Sequence, residues 1–211
     1  MGSESVLFDL DGTLIDSGPL ILASFRHSTR TVLSRTIPDT ELMAGVGGHG
    51  LEAQMREFDE ERVEELARVY REHNLLQYEN VQLFPGVRDL LEELRSQDRT
   101  LGVVTVKGRA AVDLTFELLD LADLFDVAIT SDDTDRQKPE PDPIYAALER
   151  VDGSVASAAY VGDAPFDIQA AKAAGVLSVA VTWGGIHPVA RLEREKPDAF
   201  VSTPGEILDV V

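Results

Sequence analysis

The apolar positions of this chain fall into two kinds of pattern. Val6-Leu7-Phe8 is a short unbroken apolar run that ends in Asp9-Leu10-Asp11-Gly12. A run of that length, closed by a turn signal, predicts a strand buried on both faces. From Ser17 to Arg35 the apolar residues Ile21, Leu22, Phe25, Val32 and Leu33 follow helical spacing. A short helix is predicted from Asp39, placed as its N-cap, through Met43. Next come Gly45-Val46-Gly47-Gly48-His49-Gly50 and two acidic amphipathic segments, the second with a stripe of Val63, Leu66, Ala67 and Tyr70. The stretch from Ser17 to Val81 thus reads as wholly helical, and Phe84-Pro85-Gly86 closes it.

Beyond Gly86 the pattern alternates. Helices are predicted over Gly86–Gln97, Arg109–Leu119, Pro141–Val151 and Pro165–Ala174. Strands are predicted over Thr100–Thr105, Val127–Thr130, Ala158–Val161 and Leu177–Val181. Repeated β-α units mean an α/β fold, a Rossmann-like parallel sheet with helices on both faces. The all-helical stretch falls between the first strand and the others. Residues 17–81 are therefore read as an inserted all-helical cap, and residues 1–16 and 82–211 as the core domain.

Composition narrows the chemistry. The 211 residues are 44% hydrophobic, enough for a full core, and include no cysteine, which excludes disulfides and thiolate metal sites. The four histidines, His27, His49, His73 and His187, are too scattered for a zinc site built on histidine. Against 38 acidic residues stand only 19 lysines and arginines, a formal charge of −19. That field disfavours nucleic acids and anionic membranes as partners. An anionic substrate would need local cations and a bound metal. No apolar stretch reaches the length of a membrane span, and no basic-then-apolar leader opens the chain, so a cytoplasmic protein is expected. The acidic, lysine-poor surface suits either a high-salt habitat or a codon bias towards arginine.

In an open parallel sheet, ligands collect at the carboxyl ends of the strands. The first predicted strand ends in Asp9 and Asp11, which the period of two points the same way. Two acids so close repel each other and call for a cation or a function. The second strand ends in Thr105, whose hydroxyl and backbone N–H suit a phosphate oxygen. The strand from Ala158 ends in Gly162-Asp163, with Asp167 four residues on. Lys138 lies in the proline-rich loop Gln137-Lys138-Pro139-Glu140-Pro141. Each alone has a plainer reading as a strand-end threonine, a loop lysine or a turn. Together they suit phosphoryl transfer through a covalent intermediate. Asp9 would be the nucleophile and Asp11 the acid and then the base. Asp163 and Asp167, with Asp9, would hold a hard cation such as Mg2+. Lys138 and Thr105 would bind the phosphoryl oxygens.

On these motifs the chain resembles the haloacid dehalogenase (HAD) superfamily, in the subgroup with a small helical cap. The first motif stands as Leu7-Phe8-Asp9-Leu10-Asp11-Gly12-Thr13, the second as Thr105, the third as Lys138 and the fourth as Gly162-Asp163 with Asp167. The resemblance spans nearly the whole chain. It implies the same residue roles and adds the backbone carbonyl of Asp11 as a magnesium ligand. Haloacid dehalogenases proper lack an acid at the place of Asp11, so the resemblance favours phosphoryl chemistry. Asp16-Ser17-Gly18-Pro19 is similar to the phosphoglycolate phosphatase group. Ser24-Phe25-Arg26-His27-Ser28, Thr182-Trp183 and Lys196-Pro197-Asp198 look more like its bacterial pyrophosphatase branch. Val106 departs from the group, which carries a polar residue there.

Gly45-x-Gly47-x-x-Gly50 spells a dinucleotide fingerprint, but it follows a predicted helix instead of a strand. It is read as a loop between cap helices, and the resemblance turns that loop towards the active site. The candidate substrate contacts are Gly12, Thr13, Lys107 and Arg109, with Gly48 and His49 from the loop. The expected activity is magnesium-dependent hydrolysis of a small phosphate monoester such as 2-phosphoglycolate. Inorganic pyrophosphate is the rival substrate. A sugar-phosphate mutase and a non-catalytic phosphate-binding protein stand behind these two. A small anionic phosphorylated molecule is the expected partner, to a monomer or homodimer.

Overall fold

The computed structural model describes residues 2–211. Its centre is a six-stranded parallel sheet: β1 (Ser5–Phe8), β2 (Thr100–Val104), β3 (Val127–Ile129), β4 (Ala158–Gly162), β5 (Leu177–Val181) and β6 (Ala199–Val201). The strand order is β3-β2-β1-β4-β5-β6, so the winding reverses between β1 and β4. Ser5 of β1 is in register with Thr100 of β2 on one side and with Ala158 of β4 on the other.

The continuous apolar run of β1 has the cause expected of it: both faces of the sheet are covered. Val6 and Phe8 pack into one cluster with Leu90, Leu91 and Leu94 of α5 (Val87–Ser96) and Val112 of α6 (Arg109–Leu119). Leu7 points the other way, into a cluster with Ile144 and Leu148 of α7 (Asp142–Arg150) and Ala170 and Ala171 of α8 (Pro165–Ala174). The alternation is the pleat of the strand expressed as packing. A last helix, α9 (Val189–Glu195), adds Leu192 to a small cluster with Ile168 and Ala180.

Between β1 and α5 the chain forms α1 (Gly18–Leu33), α2 (Asp39–Leu42), α3 (Leu51–Phe58) and α4 (Val63–Leu76). These helices share a hydrophobic cluster of their own, in which Ile21 and Phe25 meet Leu42, Met55, Phe58 and Leu66. Phe25 stands edge-on to Phe58, with ring centroids 5.9 Å apart.

The predicted elements are present, most with ends shifted by a residue or two, as helix and strand ends usually are. One local reading differs. Asp39 is the first residue of α2, whose N-cap is Pro38. The Asp39 carboxylate instead takes a two-pronged pair from Arg26 of α1. No helix among the described residues is long and apolar enough to cross a membrane.

Candidate active site

The reversal point of the sheet brings four segments together. The chain leaves β1 with Asp9, whose N–H still bonds to Val161 O of β4 at 2.9 Å. Asp163 follows β4 directly. Asp167 lies in the first turn of α8, where its Oδ2 accepts the Ala164 N–H at 2.9 Å and so caps the helix. Lys138 comes from the loop between β3 and α7. All four side chains are buried, Lys138 completely.

Lys138 Nζ donates to Asp9 Oδ1 at 2.8 Å and to Asp167 Oδ1 at 2.6 Å. A buried ammonium is expensive unless it is paired, and here two carboxylates pair it. Burial pulls Lys138 down, but the charges of Asp167 and Asp9 outweigh that and hold it above its ordinary value. Three carboxylates still share one lysine. Burial, and after it the charge of Asp167, pushes Asp9 up to about 7 against the pull of Lys138. Burial with the charges of Asp9 and Asp167 holds Asp163 well above the carboxylate range.

Asp9, Asp163 and Asp167 each offer an oxygen within 4.8 Å of the others. Asp163 Oδ1 receives the Thr13 hydroxyl at 3.3 Å, while Asp163 Oδ2 is buried with no partner. An orphaned buried carboxylate oxygen, in a cluster with excess negative charge, fits a hard cation. Asp167 faces the same centre with two donors already on it, Lys138 and the Ala164 N–H, and the Tyr160 hydroxyl lies 3.2 Å from its Oδ1.

Tyr160 carries no signal in the sequence. It occupies a buried strand position where an aromatic needs no explanation beyond packing. Its hydroxyl reaches Val104 O at 2.8 Å and Asp167 Oδ1, beneath Lys138. The loop after β5, which begins at the Thr182-Trp183 pair noted in the sequence, also comes close to the site. Trp183 Nε1 donates to Thr13 O at 3.0 Å. A Cβ on Gly184 would stand 2.1 Å from Gly12 O and 2.6 Å from Asp163 Oδ2. Only a glycine fits against the first motif there.

The other candidates divide. Asp9, Asp11, Thr105, Lys107, Arg109 and His49 all line one cavity of about 810 Å³ between α1, α3 and α4 and the sheet ends. Thr105 does not keep its N–H for a ligand: that group donates to Ile129 O at 2.9 Å and prolongs the β2–β3 ladder. The Thr105 Oγ accepts the Lys107 N–H at 3.2 Å and keeps its own proton to give. Lys107 Nζ grips both oxygens of Asp11, at 2.6 and 2.9 Å. Arg109 is tied to Asp133 and to Ala128 O.

Gly12 and Thr13 back onto Asp163, so their contacts serve that carboxylate. Gly12 takes φ +81° there, a backbone state that favours glycine. Gly48 is buried against Phe166, while Gly45, Gly47, His49 and Gly50 of the same loop line the cavity. The loop is bonded to the core from beyond β5. His187 Nε2 lies 2.9 Å from Val46 O, and Arg191 donates to Ala44 O at 2.8 Å.

The family model for haloacid dehalogenase-like hydrolases matches residues 6–181. The chain is 35% identical to a protein of Caldanaerobacter subterraneus provisionally named pyrophosphatase PpaX, over 100% of this chain and 96% of the relative. It is 34% identical to the pyrophosphatase PpaX of Bacillus cereus, over 100% of this chain and 97% of that one. A crystal structure from Lactobacillus plantarum, provisionally named phosphoglycolate phosphatase, superposes with a TM-score of 0.89 at 26% identity and full coverage of both chains.

Proposed function

The chain belongs to the haloacid dehalogenase-like hydrolase family and is a phosphatase of that family. On that premise we propose that it is a magnesium-dependent phosphomonoesterase working through an aspartyl-phosphate on Asp9, with 2-phosphoglycolate as the expected substrate. The observation that carries the reading is Asp9 itself. Its carboxylate lines the large cavity while Lys138 holds its Oδ1 from below. Helices α1–α4 serve as the cap, excluding bulk water and large substrates.

Asp9 attacks phosphorus and takes the phosphoryl group, while Asp11 gives a proton to the leaving oxygen. Asp11 then takes a proton from the water that hydrolyses the intermediate. Lys138 has three N–H donors and spends two on Asp9 and Asp167, so the third is left for a phosphoryl oxygen. The Thr105 hydroxyl donates to another. Asp9, Asp163 and Asp167, with the Asp11 carbonyl, would hold magnesium, which supplies positive charge against repulsion between Asp9 and the anionic phosphoryl group. Asp167 completes the acidic cluster and positions Lys138.

Inorganic pyrophosphate is the second reading. The PpaX names borne by full-length relatives favour it, and pyrophosphate presents the same phosphoryl group to Asp9. The test is phosphate release with magnesium from 2-phosphoglycolate, pyrophosphate, sugar phosphates and nucleotides, alongside Asp9→Asn. Turnover lost in the variant is expected, and the preferred compound decides between the two readings. Unchanged release by Asp9→Asn would overturn the mechanism.

A further inference from the structure

Three cationic side chains apart from histidine line the cavity, and each already has an acidic partner. Arg71 of α4 pairs with Glu52 of α3. Arg109 is held by Asp133 in the core loop. Lys107 differs from both, because its partner is the proposed acid of the reaction. Its Nζ binds both oxygens of Asp11, and the two side chains are only 12% and 15% exposed. On another side Nζ stands 5.3 Å from the centroid of the Tyr78 ring. That ring is fixed in turn by its hydroxyl, 2.7 Å from Thr115 Oγ.

A carboxylate gripped at both oxygens by an ammonium is not turned towards a leaving group. Breaking so sheltered a pair without replacement is costly, because it strands both charges. Exchanging one anionic partner for another costs far less. A substrate whose leaving portion carries its own negative charge offers Lys107 that exchange, and a neutral alcohol does not.

We propose that Lys107 is a specificity-determining residue that passes from Asp11 to an anionic leaving group and thereby frees Asp11 to act. The favoured substrate class is then a phosphate ester or anhydride whose leaving portion bears a carboxylate or a second phosphate. The proposal rests on the phosphatase reading and deepens it. It also gives the acidic chain a reason to keep one of its four lysines at this place.

The test compares 2-phosphoglycolate with its neutral isostere, 2-phosphoglycolamide, and with pyrophosphate, by kcat/KM with magnesium. The wild-type chain is expected to prefer the anionic compounds by at least about tenfold. Lys107→Met is expected to lose about 100-fold on 2-phosphoglycolate and to lose nothing on the amide, whose turnover should rise because Asp11 is already free. Lys107→Arg should keep most of the preference, and Lys107→Gln gives a second neutral variant if the Met protein folds poorly. Equal losses on both compounds in the Met and Gln variants would overturn the proposal, since they would mark a general structural role. Wild-type turnover of ester and amide at equal rates would overturn it too, and leave the phosphatase reading standing. Release from no compound would remove the phosphatase reading and this proposal with it.

Discussion

The Nζ of Lys138 lies 2.8 Å from Oδ1 of Asp9, and no part of the lysine side chain reaches solvent. This pair ties the reactivity of the site to the stability of the sheet. Replacing Lys138 by Met leaves two buried carboxylates facing one another without a cation. We expect Lys138→Met to lose about 3–5 kcal/mol of stability in metal-free urea unfolding. Phosphate release should fall by at least about 100-fold in protein that is still folded. Wild-type stability in the variant would show that the pair is not the anchor described.

Metal and pH should act on the same carboxylates. Asp9 is raised to about 7, chiefly by burial, and burial also holds Asp163 well above the carboxylate range. In the unfolded chain both titrate near about 3.9. Between that value and the folded one, the native state binds more protons than the unfolded state, so metal-free stability falls as pH rises. The loss begins near about pH 4 and, for Asp9, is complete above about 7. Magnesium should therefore raise the melting temperature more at about pH 8 than at about pH 5. Melting curves with magnesium and with EDTA at both pH values check this. Equal shifts at the two would refute the assignment of the cluster as a metal site.

The contrast between Asp163 and Tyr160 shows what a sequence discloses here. The carboxylates and Lys138 sit at strand ends, in loops and in a first helical turn, where a polar residue after an apolar run stands out. The parallel sheet follows from the alternation of strands and helices. Tyr160 sits inside a strand, and its meaning depends on a hydroxyl contact across the sheet that no local pattern encodes. The same holds for Lys107 and Asp11, which meet across 96 positions of chain. Proximity to the second motif marks Lys107 as a cation for substrate, but only the fold reveals the acid that it grips. Thr105 fails differently. Its N–H reads as free at the end of a strand, and only the register of the third strand assigns it to Ile129.

Tyr160→Phe should separate positioning from packing. The ring keeps its volume, but Val104 O loses a 2.8 Å donor and Asp167 loses the nearby hydroxyl. A buried carbonyl left without its donor costs about 1–3 kcal/mol. Asp167 should then hold Lys138 less firmly, and kcat should fall by about tenfold with KM nearly unchanged. A change in KM alone would contradict this role.

Gly184→Ala tests the close approach of the loop after β5. The added methyl meets backbone at Gly12 O, which has no side-chain freedom with which to yield. The loop must retreat, or the turn that carries Asp11 and Gly12 must shift. A displacement of about 1 Å at a catalytic group costs about 100-fold in rate. We expect Gly184→Ala to lose activity on that scale while Gly185→Ala, with nothing within 4 Å of its Cβ, loses less. Gly185 has φ +69°, so its substitution should cost stability before rate. Steady-state kinetics beside melting curves resolve the two effects.

The last prediction concerns acid stability away from the metal cluster. Asp133 accepts Thr130 N–H at 2.8 Å, the Thr130 hydroxyl at 2.7 Å, and Arg109 and Arg150 at 2.6 and 2.7 Å. Burial alone would push its carboxyl up, but the bonds from Arg150 and Thr130 and the charge of Arg109 outweigh it. They hold Asp133 well below the usual carboxylate range. Its folded value lies under the unfolded one, so the unfolded state binds more protons in the window between them. The stabilisation is present above about pH 4 and is lost as pH falls below it. Asp133→Asn should therefore be about 1–3 kcal/mol less stable at neutral pH. The gap should narrow steadily in urea unfolding as pH is lowered below about 4. A gap that stays constant through that range would place the contribution of Asp133 in hydrogen-bond geometry instead of in its charge.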